Sequence, residues 1–215
     1  MQLYTALGDS ITAGEGATSP RRAYPSLVVA NLGRRSSKAC CGEVLAEPGW
    51  TSEALRAGIL DNPLAYLKAS QNISVWVGGD DLAYAGLAIA KGAPKRILAR
   101  TLSQYGRDLG FMVGFLHKVS KARIVVCTQY NPFPNSPLAV SGIAALNQVT
   151  LEVGQRMHTV VAPVHEWFAG REAALIAGYT NGRLEDVLKS RSLPIHPNDR
   201  GHAVIANGLT PLMAT

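Results

Sequence analysis

Apolar positions along this chain fall into two rhythms. Short, mainly apolar runs at Leu3 to Leu7, Gly42 to Ala46, Ile73 to Val77, Ile124 to Cys127 and Thr159 to Val164 read as strands. Elsewhere the apolar residues recur every three or four positions, which predicts helices. Ala23 to Leu32 is one, with Leu27, Val28, Ala30 and Leu32 in step and Gly33 with two arginines closing it. A second runs through Leu60, with Thr51 or Ser52 as its cap. The longest, Pro94 to Lys118, sets Leu98, Leu102, Tyr105, Leu109, Met112, Leu116 and Val119 on one face. Gly106, Gly110 and Gly114 form a small-residue stripe beside that face, which predicts close packing on a sheet. Val140 to Val153, a short piece near Leu184 to Lys189, and Arg200 to Leu209 complete the helical pattern. Leu82 to Ala93, rich in small residues, and the proline-rich Asn131 to Pro137 read as loops.

Strands that alternate with helices, and that are apolar on both sides, are buried on both faces. The expected fold is therefore α/β, a three-layer sandwich in which a parallel sheet of about five strands lies between two layers of helices. At 215 residues the chain is long enough for one well-cored domain, and residues 1–215 are expected to form it. No internal repeat or linker interrupts the pattern.

Composition changes this picture little. Hydrophobic residues are 47% and charged residues 17%, which leaves no room for a large disordered tail. No apolar run reaches the roughly 18 residues of a membrane span, and no signal-peptide pattern opens the sequence, so a cytoplasmic protein is expected. The net charge is +6, but the basic residues are scattered and lack the interleaved aromatics that stack bases; nucleic acid is not an expected partner. Cys40, Cys41 and Cys127 make an odd, unevenly placed set with no disulfide framework and no metal-ligand spacing, and Cys127 reads as a small buried thiol. Nothing in the sequence speaks to oligomeric state.

The candidate chemistry starts at Gly8-Asp9-Ser10, just past the first strand. The carboxyl edge of a parallel sheet is where ligands bind, so a hydroxyl there is placed for reaction. Serine is a poor nucleophile until a base takes its proton, and histidine titrates where that is useful. Of the five histidines, His117, His158, His165 and His202 sit at helix ends or within helices and read as structural. His196 is bracketed by Pro194 and Pro197 in a rigid loop. Two further segments end strands at the same edge: Gly49, before Thr51-Ser52, and Gly78-Gly79-Asp80-Asp81.

In this order and spacing, Gly8-Asp9-Ser10, Gly49, Gly78 to Asp81, and His196-Pro197-Asn198-Asp199 with Gly201-His202 resemble the SGNH family of GDSL esterases and lipases, from residue 4 to about residue 209. The resemblance implies a flavodoxin-like sandwich and a serine-dependent carboxylic ester hydrolase acting on a small-molecule ester, with no cofactor and no metal. It makes Ser10 the nucleophile and His196 the base facing it. It builds the oxyanion hole from the backbone N–H groups of Ser10 and Gly49 and the side chain at position 80.

Two departures from the family pattern stand out. Asp80 replaces an asparagine donor, and an ionised carboxylate opposes an oxyanion. Leu193 stands where the family places the acid of the triad. Asp186, Glu185 and Asp199 are the candidates nearby, with Asp199 read as a cap of the last helix; a main-chain carbonyl near Ser192 or Leu193 would instead leave a Ser-His dyad. The alternative function is a catalytically impaired or ligand-binding member of the same fold. A phosphate-binding turn at Gly8 to Gly16 matches neither nucleotide motif. Trp50 and Phe133 are candidate pocket linings or core residues.

Overall fold

Five strands, β1 Gln2–Gly8, β2 Cys40–Ala46, β3 Asn72–Trp76, β4 Arg123–Cys127 and β5 Val160–Ala162, lie in the order β2-β1-β3-β4-β5, and every pair is parallel. The computed structural model describes residues 1–36, 38–62, 65–189 and 193–213, and for residues 188 and 189 the backbone alone. From β1 the chain steps to one side to form β2, then crosses back to form β3 on the other. The switch point therefore falls between β1 and β3, and beyond their carboxyl ends lies the crevice where open α/β sheets bind ligands.

The helices are α1 Ser10–Ala13, α2 Tyr24–Ser36, α3 Ser52–Asp61, α4 Ala65–Ala69, α5 Gly79–Ala90, α6 Arg96–Val119, α7 Pro137–Arg156, α8 Val164–Phe168, α9 Glu172–Leu175, α10 Asp186–Lys189 and α11 Asp199–Met213. Side chains alternate along each strand, so the sheet feeds two cores. Tyr4, Ala6, Trp76, Val125 and Ala162 pack with α2, α8 and α11 through Tyr24, Val28, Phe168, Ile205 and Leu209. Leu7, Ile73, Val75, Ile124 and Val126 pack with α3, α6 and α7 through Leu55, Ile59, Leu109, Met112 and Leu146. The result is the expected αβα sandwich. No described helix is long and apolar enough to cross a membrane.

Several elements differ from the sequence reading. The supposed loop after Gly78 is a helix, α5, through Ala90. Alanine is the strongest helix former, and Ala83, Ala85, Ala88 and Ala90 outweigh the single interior Gly86. Its periodicity is faint because Tyr84 and Leu87 face outward. Gly33 does not end α2, which continues to Ser36. An interior glycine costs about 1 kcal/mol, less than the roughly 1.5–3 kcal/mol gained by burying each of Val28 and Leu32. β5 stops at Ala162 because Pro163, which has no N–H to donate, opens α8. The glycine stripe of α6 faces α7 rather than the sheet: a Cβ at Gly106 would lie 3.0 Å from Val149, and one at Gly110 3.5 Å from Arg156.

Candidate active site

The turn after β1 is built from local chemistry. Gly8 is required there, since any side chain would overlap the Thr12 hydroxyl and the Trp76 carbonyl. Asp9 caps α1 by accepting the Ile11 N–H at 3.1 Å. Gly14 closes the helix in the left-handed region, at φ 99°, and the Glu15 N–H returns to the Ser10 carbonyl at 3.0 Å. Ser10, at the first helical position, is left half-buried with its hydroxyl directed at the crevice partner His196.

His196 arrives from the far end of the chain, and its Nε2 lies 3.0 Å from Ser10 Oγ. Backbone bonds from the segment after α9 fix its loop. The Ala177 N–H donates to the His196 carbonyl at 2.9 Å, the Asn198 N–H to the Leu175 carbonyl at 2.8 Å, and Ile176 bridges Pro197. The buried Tyr130 hydroxyl donates to the Ile195 carbonyl from below. Burial pushes the His196 pKa below its ordinary value, against the charge of Glu15, so the ring is neutral and ready to accept a proton at neutral pH.

Gly49 and Asp80 lie on different elements, after β2 and after β3, at the same carboxyl edge of the sheet. Gly49 holds φ 84°, a conformation that favours glycine, and its carbonyl accepts the Tyr84 hydroxyl of α5 at 3.3 Å. Among the described residues, neither the Ser10 N–H nor the Gly49 N–H has a hydrogen-bond partner. Asp80 lies in the first turn of α5, and burial with the neighbouring Asp81 charge raises its pKa to about 6. Asp9 is pushed to about 8, chiefly by burial, with Asp80 and Asp81 adding to it. Raised Asp80 and lowered His196 bring the two titrations closer together than in free side chains.

The sequence places Asp81 in the block after β3 without an individual role. Its carboxylate accepts the Ser52 N–H at 2.8 Å and the Ser52 hydroxyl at 2.7 Å, tying the start of α3, and so the Gly49 turn, to α5. The signal for this was a serine beside a cap and an acid beside a strand end. Thr51, not Ser52, is the cap of α3.

The candidate acids are engaged elsewhere. Asp186 accepts the Asn181 and Arg183 N–H groups at 2.9 and 3.1 Å, and Glu185 joins it, Asn135 and Arg183 around a recess of about 450 Å³. Asp199 does not cap α11; Asn198 does, accepting the Arg200 and Gly201 N–H groups. Asp199 instead accepts the Thr18 N–H and hydroxyl and pairs with Arg22 at 3.3 Å. Leu193 is 49% exposed, and its carbonyl accepts the Ile195 N–H rather than the imidazole. Ser192 lies outside the described residues. Among the described residues, no side chain bonds His196 at Nδ1, and no cluster of three or more His, Cys, Asp or Glu is arranged to hold a metal ion. Phe133 is a core residue, and Trp50 packs its ring on Gly58 of α3.

A model of the GDSL-like Lipase/Acylhydrolase family matches residues 6–204. No curated protein matches the chain significantly. Among solved structures, the lipase Lip_vut3 from a goat rumen metagenome superposes with a TM-score of 0.82 at 21% identity, over 99% of this chain and 97% of its own. Axe2, an acetylxylan esterase from Geobacillus stearothermophilus, gives 0.70 at 18% identity, over 100% and 94%. An α/β hydrolase, LAE5, from the metagenome of Lake Arreo gives 0.70 at 19%, over 100% and 97%. Serine-to-alanine and histidine-to-alanine forms of Axe2 are described as catalytic mutants.

Proposed function

Because this chain belongs to the GDSL-like lipase/acylhydrolase family, we propose that it is a serine-dependent carboxylic ester hydrolase, working through an acyl-enzyme on Ser10 with His196 as general base. The observation that carries this reading is the 3.0 Å contact between His196 Nε2 and Ser10 Oγ at the switch point of the sheet. Ser10 Oγ attacks the ester carbonyl as its proton passes to Nε2. The developing oxyanion is met by the Ser10 and Gly49 N–H groups, and by Asp80 when its carboxyl carries a proton. His196 returns the proton to the leaving alcohol, and water, activated by the same imidazole, releases the acid. The substrate is a small ester.

A fluorophosphonate probe tests the assignment. It should label Ser10 alone, and Ser10→Ala should abolish both labelling and turnover of a short p-nitrophenyl ester. Labelling of another serine, with Ser10 unmodified, would refute the nucleophile. Asp80 favours a second reading, an impaired or ligand-binding member, because an ionised carboxylate at the oxyanion slows the reaction. That reading expects no turnover at any pH from 5 to 8.

A further inference from the structure

His202 is fully buried in α11, outside the catalytic pair, yet both of its ring nitrogens are committed. Nδ1 accepts the Tyr24 N–H at 3.2 Å, which leaves the ring proton on Nε2, and that N–H donates to the Glu15 carbonyl at 3.0 Å. The ring also stacks on Tyr24, with centroids 6.3 Å apart and planes 14° apart. Glu15 is no arbitrary acceptor. Its own N–H bonds the Ser10 carbonyl, and the next residue, Gly16, lies so close to the other half of the site that a Cβ there would touch His196 Cβ at 3.0 Å and overlap the Pro197 carbonyl.

The geometry points to His202 as a positioning residue: its Nε2–H clamps the turn that follows the nucleophile onto the His196-Pro197 segment, and so sets the Ser10–His196 contact. One donor thus reaches both halves of the site, Ser10 through the Glu15 amide and His196 through Gly16. Asp199 ties the same turn to α11 one step further on, at Thr18, but touches neither half. The inference rests on the esterase reading for its effect on rate, though not for the clamp itself.

The two arms of the imidazole can be separated by amides of different reach. His202→Asn keeps an acceptor near the Nδ1 position but falls short of Glu15, whereas His202→Gln carries a donor out to the Nε2 position. The Asn variant should label at Ser10 and turn over ester roughly 10- to 10²-fold more slowly, as a misplacement of about 1 Å brings, with KM changed by less than about threefold. Amide hydrogen exchange over residues 14–17 should quicken in the same variant. The Gln variant should recover both rates to within about threefold of wild type and restore the protection. If both variants are as active as wild type, or both are impaired alike with equally lowered melting temperatures, His202 only packs and the proposal falls. Should the wild-type chain itself fail to label, the esterase reading is lost; exchange alone then decides the clamp, and equal protection in the two variants overturns it.

Discussion

The two partners of the Ser10–His196 contact are held in opposite ways. Ser10 is placed by its own neighbours, with Asp9 capping α1, Gly14 closing it and the Glu15 N–H folding back. His196 is placed by distant backbone, at Leu175 and Ala177, and by a tyrosine 65 positions before the carbonyl it bonds. A turn of a few residues suffices to present a hydroxyl, whereas the base has to be delivered by tertiary structure. Damage on the serine side should therefore change reactivity with the fold intact, while the histidine side should also be reachable from afar.

The widest break comes from His196→Ala, which should cost roughly 10² to 10⁴ in kcat, the range for losing a general base, with an unchanged melting temperature. Full turnover in that variant would remove His196 from the chemistry.

Asp80→Asn should come next, and in the opposite direction. With the Asp80 pKa raised to about 6, about one carboxyl in ten is a donor at pH 7, so a permanent amide donor should raise kcat about tenfold there. The sign follows from protonation. As pH falls toward 6 Asp80 gains its proton, which should raise the wild-type rate, while protonation of His196, held below its ordinary value by burial, sets in later than for a free imidazole. Once His196 does protonate, the rate falls. The Asn form should show the fall without the climb. Paired kcat–pH profiles check this, and an Asn form no faster at pH 7 would place Asp80 outside the oxyanion hole.

Tyr130→Phe removes one hydrogen bond beneath the histidine loop, worth about 1 kcal/mol, and should lower kcat by about fivefold. An equal loss in the labelling rate of Ser10 would trace it to the pairing, whereas no loss would mean that the loop needs no support from Tyr130. Glu15→Gln should have the smallest effect. Removing its charge lets the His196 pKa fall further, moving the acid limb of kcat/KM to lower pH, and at neutral pH the rate should change by less than about threefold, since the carboxylate is exposed and screened. The shift should vanish at high salt. A limb that stays in place at low salt would show that Glu15 does not act on the ring.

The same local-versus-distant contrast explains what could be read from the residues. Gly8, Ser10 and the strand before them carry their reasons in consecutive positions, and the parallel sheet follows from strands apolar on both faces. His196 was found by its place between two prolines and its match to a family block, not by any feature that predicts its contact. The partners of buried polar groups were illegible. Asp199 was read as a cap one residue off because it and Asn198 are both good caps, and only the fold shows that Thr18 and Arg22 occupy the carboxylate. His202 reads as an ordinary helical residue in the sequence because its bonds reach back to Tyr24 and Glu15, 178 and 187 positions away. α5 was missed because alanine carries no apolar rhythm, although it is what makes the helix.

The separation of 186 residues between the two members of the pair gives the site a timetable. During synthesis Ser10 emerges well before His196, and β1 can begin to pair with β2 and β3 before the histidine loop exists. Throughout that interval the hydroxyl has no base beside it and is as inert as any surface serine. Arming comes last, when the chain after α9 lays its backbone against Leu175 and Ala177. A polypeptide interrupted before His196 is in this way chemically silent, and reactivity itself becomes a report that the histidine loop has docked.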